Sequence, residues 1–208
     1  MSRFCLIARM AGPSFCIMRR ALIPLLLLPL LPLTAPLAQG RAPATAESRR
    51  AEANRLLDAL PAAPDDVAAQ ALEARIRSLW AQGASPAVTL LLRRGQRNLE
   101  SEAVADAVED FDAALTLQPG HAQAWLLRAQ ALAALGDMPA ALRDLHQVLV
   151  LEPRHFLALA LLSTYQEQMG DNAAALRAIE EAMSLHPHMQ GGAERLRRLT
   201  AKVTGEDA

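Results

Sequence analysis

Few residues in this chain are of a type and spacing that could do chemistry. His186-Pro187-His188 holds two imidazoles in three residues and could bind a metal ion. The tripeptide lies at a helix end, however, and Pro187 recurs with Pro119 and Pro153 at one fixed spacing, so any metal affinity reads as adventitious. His155 follows Glu152-Pro153-Arg154 in a turn and reads as a packing or capping residue. Glu180 and Glu181 are adjacent, and on a helix they point about 100° apart, so they form no acid–base pair. No serine, histidine and acid make a nucleophile motif, and no glycine-rich loop could cradle a phosphate. Cys5 and Cys16 both precede an apolar stretch, so a chain cleaved after that stretch keeps no thiol for disulfides, metal or catalysis. These residues argue against an enzyme, and no cofactor or metal is expected.

The charge pattern narrows the partners. Of 21 basic residues, Arg3, Arg9, Arg19 and Arg20 fall before Arg41, while all 22 acidic residues fall after it. The remaining body is mildly acidic and has no basic run, which argues against a phosphate-binding surface for nucleic acid. A protein or peptide partner is expected instead.

Arg19-Arg20 is followed by the apolar stretch 21–33 and then by small residues up to Ala38-Gln39-Gly40. Charged, apolar and small segments in that order read as a secretory signal over residues 1–40, with a mature start at Arg41. The alternative is an uncleaved anchor in the inner membrane. Against it, the 18 residues Ala21–Ala38 are short for a span and carry Pro24, Pro29, Pro32 and Pro36. The expected location is the periplasm, with membrane contact only through an uncleaved leader.

The elements that would position any binding residue come from an internal repeat. Gly136-Asp137 and Gly170-Asp171 each open a near-identical phrase, and the segments 88–121, 122–155 and 156–189 abut in one register. Each holds two stretches of helical apolar spacing. In 122–155 these are Trp125, Ala129 and Leu132, then Ala141, Leu145, Val148 and Leu149. Glycine can close the first helix in the left-handed conformation, aspartate can cap the second, and the proline stops it. Such short hairpins bury their apolar faces only by stacking, and about three are needed.

The blocks resemble tetratricopeptide repeats. The match lies at the small residues Gly95, Ala129 and Ser163, and at Ala107, Ala141 and Ala175. It continues at the larger Phe111, Leu145 and Ile179, then at Ala114, Val148 and Ala182, and at the terminal prolines. Two departures stand out. Glu102 occupies the turn-glycine position, with Ser101 as an alternative cap for the next helix, and Arg94 and Arg128 replace a usual leucine. The resemblance implies an all-α, right-handed α-α superhelix of three repeats. It also implies a concave groove lined by the first helix of each pair. By position, the groove residues are Thr89, Leu92, Gln96 and Leu99, then Gln123, Leu126 and Gln130, then Leu157, Ala160, Thr164, Glu167 and Gln168. This mix of apolar and amide groups suits a peptide or helix and does not supply the Lys, Asn and Arg that clamp a C-terminal carboxylate. The resulting expectation is a non-enzymatic interaction scaffold of the bacterial cell envelope. A membrane-tethered assembly factor and a structural subunit are the alternatives.

Flanking the array, residues 41–87 read as a helical hairpin outside the repeat register, with Leu72, Ile76, Leu79 and Trp80 as one stripe. It is expected to cover the N-terminal end of the array. Residues 190–208 read as a capping helix and tail. Leu196, Leu199 and Val203 should face the array and Arg195, Arg197, Arg198 and Lys202 the solvent, while 41–45 and 204–208 are expected to be disordered.

Overall fold

The computed structural model describes residues 45–205. The secretory-signal reading of residues 1–40 lies outside the described residues. Among the described residues there are nine α-helices and no strand: α1 Ala46–Ala59, α2 Asp66–Ala81, α3 Pro86–Glu100, α4 Val104–Leu117 and α5 Ala122–Ala134. The others are α6 Met138–Leu151, α7 Phe156–Gln168, α8 Asn172–Leu185 and α9 Gly192–Thr204, and a short 3₁₀ turn, Leu60–Ala62, follows α1. None of these helices is long and apolar enough to cross a membrane.

The helices α3/α4, α5/α6 and α7/α8 form three hairpins that stack in sequence, each packing on the next through its neighbouring helices. Their turns follow the expected chemistry. Gly136 and Gly170 take φ +87° and +84°. Asp137 and Asp171 then accept the amide hydrogens of Ala140 and Ala174 at 3.0 and 2.9 Å. Glu102 also sits at positive φ, +62°, so the first turn keeps the geometry without its glycine. Ser101 does not cap α4; its hydroxyl donates to Asn98 O instead, and the N-cap Ala103 has no side-chain bond.

Size is matched inside each hairpin. A Cβ on Gly95 would lie 2.5 Å from the Phe111 ring, so the first hairpin needs glycine where the later ones use Ala129 against Leu145 and Ser163 against Ile179. The residues Phe111, Leu145 and Ile179 are fully or almost fully buried. Arg94 and Arg128 keep their departure from an apolar layer satisfied. Arg94 Nε donates to buried Asp110 at 2.6 Å, and Asn98 donates to the other oxygen of Asp110 at 2.9 Å. Arg128 holds buried Asp144 through Nε and Nη2 at 2.7 and 2.8 Å and reaches Asp112 of the preceding hairpin at 2.6 Å. The third hairpin places Leu162 and Ala178 in the equivalent layer, with no charge to pair.

The ends differ from expectation. Helix α3 begins two residues early because Ser85 caps it and Pro86 opens it. Thr45 caps α1 and Thr204 is the last residue of α9, so helical structure reaches both positions. In α9, Leu199 is buried, but Val203 stays 44% exposed. Arg195 turns inward, donating to Ser163 Oγ at 3.0 Å and Glu167 at 2.8 Å. Arg198 and Lys202 reach the same carboxylate at 3.3 and 2.6 Å. A lone half-buried acid thus draws in one side of the helix's basic face, while Arg198 and Lys202 stay exposed to solvent as expected and Arg197 pairs with Glu194.

The N-terminal hairpin does not cover the first repeat. It packs along the turns between repeats and onto the third. Leu57, Leu60, Ala69, Ile76 and Trp80 share one apolar cluster with Phe156, flanked by Leu157, Leu185 and Met189. The Trp80 ring stacks on His155 at 3.9 Å with 14° between planes. Polar contacts follow the same line. Glu73 meets His186 Nε2 at 3.1 Å, Asp66 meets His188 Nδ1 at 2.7 Å, and Arg154 donates to Asp58 at 2.7 Å. The chain reverses into α3 through Gly83 at φ +96°. Gln118 pins that corner: its amide donates to Gly83 O at 2.9 Å and accepts from Ser85 N at 3.2 Å.

Candidate peptide-binding groove

The first helices of the three pairs, α3, α5 and α7, present a ladder at repeat spacing: Gln96, Gln130 and Thr164 on one rung, Gln123 and Leu157 on another. Helix α2 faces this ladder and closes a cavity of about 390 Å³. Seven of the expected groove residues line it: Gln96, Gln123, Leu126, Gln130, Leu157, Ala160 and Thr164. From α2, Arg77 and Trp80 supply the opposite wall. Leu126 is nearly buried in the core between hairpins, so it forms the cavity floor. The Thr164 hydroxyl donates to Ala160 O at 3.0 Å.

The other five expected residues are used differently. Leu92 is buried with Phe111 and Ala114, and Leu99 packs on the same cluster, so both are core. Thr89 is half-buried and outside the cavity lining. Glu167 is held by α9, where the Lys202 ammonium, aided by Arg195 and Arg198, keeps its carboxyl below the ordinary range. Gln168 is exposed at the end of α7, away from the cavity lining. A groove position near the end of the array therefore serves the cap, because α9 occupies the place of a following first helix.

The histidines hold the wall in position. His155 Nδ1 accepts the Ala158 amide at 3.2 Å and so caps α7, with burial pushing its pKa down to about 4. A neutral ring can stack flat on Trp80 without a desolvated charge. His186 and His188 bind α2 carboxylates and the Ala63 carbonyl. Among the described residues, no group of three or more His, Cys, Asp or Glu is placed to hold a metal ion.

No protein-family model and no curated protein matches the chain. Solved structures do. The first tetratricopeptide domain of Spaghetti (RPAP3), bound to the HSP90 peptide SRMEEVD, is similar at TM-score 0.56 and 16% identity over 58% of this chain and 95% of that one. The Sgt2 domain from Aspergillus fumigatus is similar at TM-score 0.55 and 20% identity, over 59% of this chain and 83% of that one. The Yersinia enterocolitica type III secretion chaperone SycD, in complex with a peptide of the translocator YopD, is similar at TM-score 0.54 and 16% identity, over 58% and 98% of the two chains.

This chain has the tetratricopeptide-repeat fold. Identities at this level establish the architecture alone. Within that architecture the tetratricopeptide array supplies the ladder, while the wall is this chain's own addition. Arg77 and Trp80 were absent from the expected groove because it was drawn from the repeats alone. A signal for them exists in the sequence: Asp66 and Glu73 lie seven residues apart, two turns along one face of α2, and the histidines they meet sit at the last repeat boundary.

Proposed function

We propose that this tetratricopeptide-repeat protein is a non-enzymatic scaffold that binds a peptide segment of a partner protein in the groove between α2 and the helices α3, α5 and α7. The observation that carries the reading is the convergence of three glutamine amides on a partly apolar cavity at the repeat ladder. Primary amides both donate and accept, so they suit the backbone of a guest segment, while Leu126 and Leu157 suit its apolar side chains. The similar structures of RPAP3 and SycD hold peptides, which supports the same use here.

The proposed setting is the bacterial cell envelope, with the chain exported and cleaved before Arg41. What supports it is the order of segments after Arg19-Arg20. The mass of the protein's N-terminal peptide, recovered from cells, checks this: a retained leader turns the reading to a membrane-tethered factor.

The groove is tested with the full-length chain carrying a photo-crosslinking residue at Gln130, at Thr164, or at exposed Arg143 on α6. A partner captured from Gln130 and Thr164 but not from Arg143 supports the groove. Equal capture from all three positions, or from Arg143 alone, refutes it.

A further inference from the structure

We infer that the groove selects an extended segment with an internal acidic side chain, whose carboxylate pairs with Arg77 while a neighbouring aliphatic side chain seats among Leu126, Leu157 and Leu161. This rests on the peptide-binding reading and adds the chemistry of the guest. Three observations carry it.

First, Arg77 is the one charged side chain among the residues lining the cavity. A guest with a matching negative charge gains a charge-assisted bond there, and a guest with a positive charge meets repulsion. Second, Arg77 has donors to spare. Its side chain is 60% exposed and, among the described residues, its one ion pair is with Glu73 one turn away, at 3.4 Å, while the other oxygen of Glu73 serves His186. Exposed pairs at this spacing are weak, so a guest carboxylate can engage the planar fork without breaking a strong contact.

Third, the groove does not end at Arg77. The same residue lines a second, polar cavity of about 310 Å³ with Gln70, Glu73, Ala74, His188 and Gln190. Because Arg77 borders both cavities, a guest lying across it extends toward the second one, and its carboxylate then belongs to a side chain and not to the chain terminus. The three glutamine amides favour an extended guest, whose backbone N–H and C=O groups are free to pair with them, whereas a helix pairs its own.

The test is fluorescence anisotropy of the full-length chain with short labelled peptides, acetylated and amidated at their ends. Each carries one leucine and, zero to three residues away, glutamate, glutamine or lysine. Glutamate peptides should bind about two- to fivefold tighter than their glutamine counterparts, the difference expected for an ion pair with a partly exposed guanidinium. That preference should vanish in Arg77→Gln and turn toward lysine peptides in Arg77→Glu. Circular dichroism checks that these exposed-site variants stay folded.

Equal binding of glutamate and glutamine peptides, lost in Gln130→Lys but untouched in Arg77→Gln, overturns the acidic selection and leaves the groove reading standing. Binding only of peptides with a free C-terminal carboxylate also overturns it, in favour of terminal capture. If no leucine peptide binds, or if Gln130→Lys changes nothing, both readings fall.

Discussion

Replacing Glu102 by glycine should make this protein more stable, although the change removes a side chain and adds no contact. Glu102 lies at φ +62°, in the turn where the later hairpins have Gly136 and Gly170. The backbone bonds are those of a helix stop in all three turns. Glu102 N donates to Leu99 O at 3.2 Å and Ala103 N to Asn98 O at 2.8 Å, matching Gly136 N to Ala133 O at 3.0 Å and Asp137 N to Leu132 O at 2.9 Å. A residue with a Cβ pays about 1–2 kcal/mol for the left-handed conformation. Glycine gives back about 0.4–1 kcal/mol through its freedom in the unfolded chain. Because the Glu102 side chain is exposed, packing adds little to this balance. The net gain should be about 0.5–1 kcal/mol, or roughly 1–4 °C in Tm for a chain of this size. Urea unfolding followed by far-UV circular dichroism measures it, and Gly136→Glu should cost about the same amount in mirror image. High salt is the appropriate condition, since it screens the attraction between Glu102 and the start of α4, which works in the opposite direction. A Glu102→Gly variant no more stable than its parent, beside a Gly136→Glu variant that loses nothing, would refute the argument that these turns require glycine for their φ.

Arg128→Leu should destabilise by about 3–5 kcal/mol because it strands the buried Asp144 carboxylate, and adding Asp144→Ala should recover much of that by recreating the Leu162/Ala178 layer of the third hairpin; a double variant no better than the single one in chemical denaturation counts against this. Stability should fall as pH drops from about 6.5 toward about 4, since buried His155 stays neutral in the fold down to about 4 whereas the unfolded ring takes up its proton near 6.5, a loss of at most about 3 kcal/mol. The sign follows from the unfolded chain binding more protons in that window. His155→Asn keeps a cap for α7 and should flatten this part of the stability–pH curve, so an unchanged curve would reject the assignment. Glu167→Gln should loosen α9 by weakening its attraction to Arg195, Arg198 and Lys202. Hydrogen exchange should then speed up in α9 while the buried amides of α5 and α6 keep their protection.

Much of this architecture was written locally. The spacing of small and large residues, the Gly-Asp hinges and the recurring prolines specify helices, turns and hairpins because each depends on neighbours within a few residues. The stacking of the hairpins follows, since each apolar face has only the next one to cover it. Seven residues of the cavity lining were legible for the same reason: a fixed repeat puts equal positions of α3, α5 and α7 on one surface. Tertiary structure decided what local pattern could not. The sequence marks Leu72, Ile76, Leu79 and Trp80 as a buried stripe, but a stripe does not name its partner. Only the folded chain shows it lying on Phe156 and His155, more than seventy positions away, which places Arg77 in the groove. The same distinction removed Leu92 and Glu167 from the groove, one to the core and one to the capping helix. Periodicity reports which face of a helix is covered; what covers it depends on contacts between residues far apart in the chain, and those are settled when the whole array closes on itself.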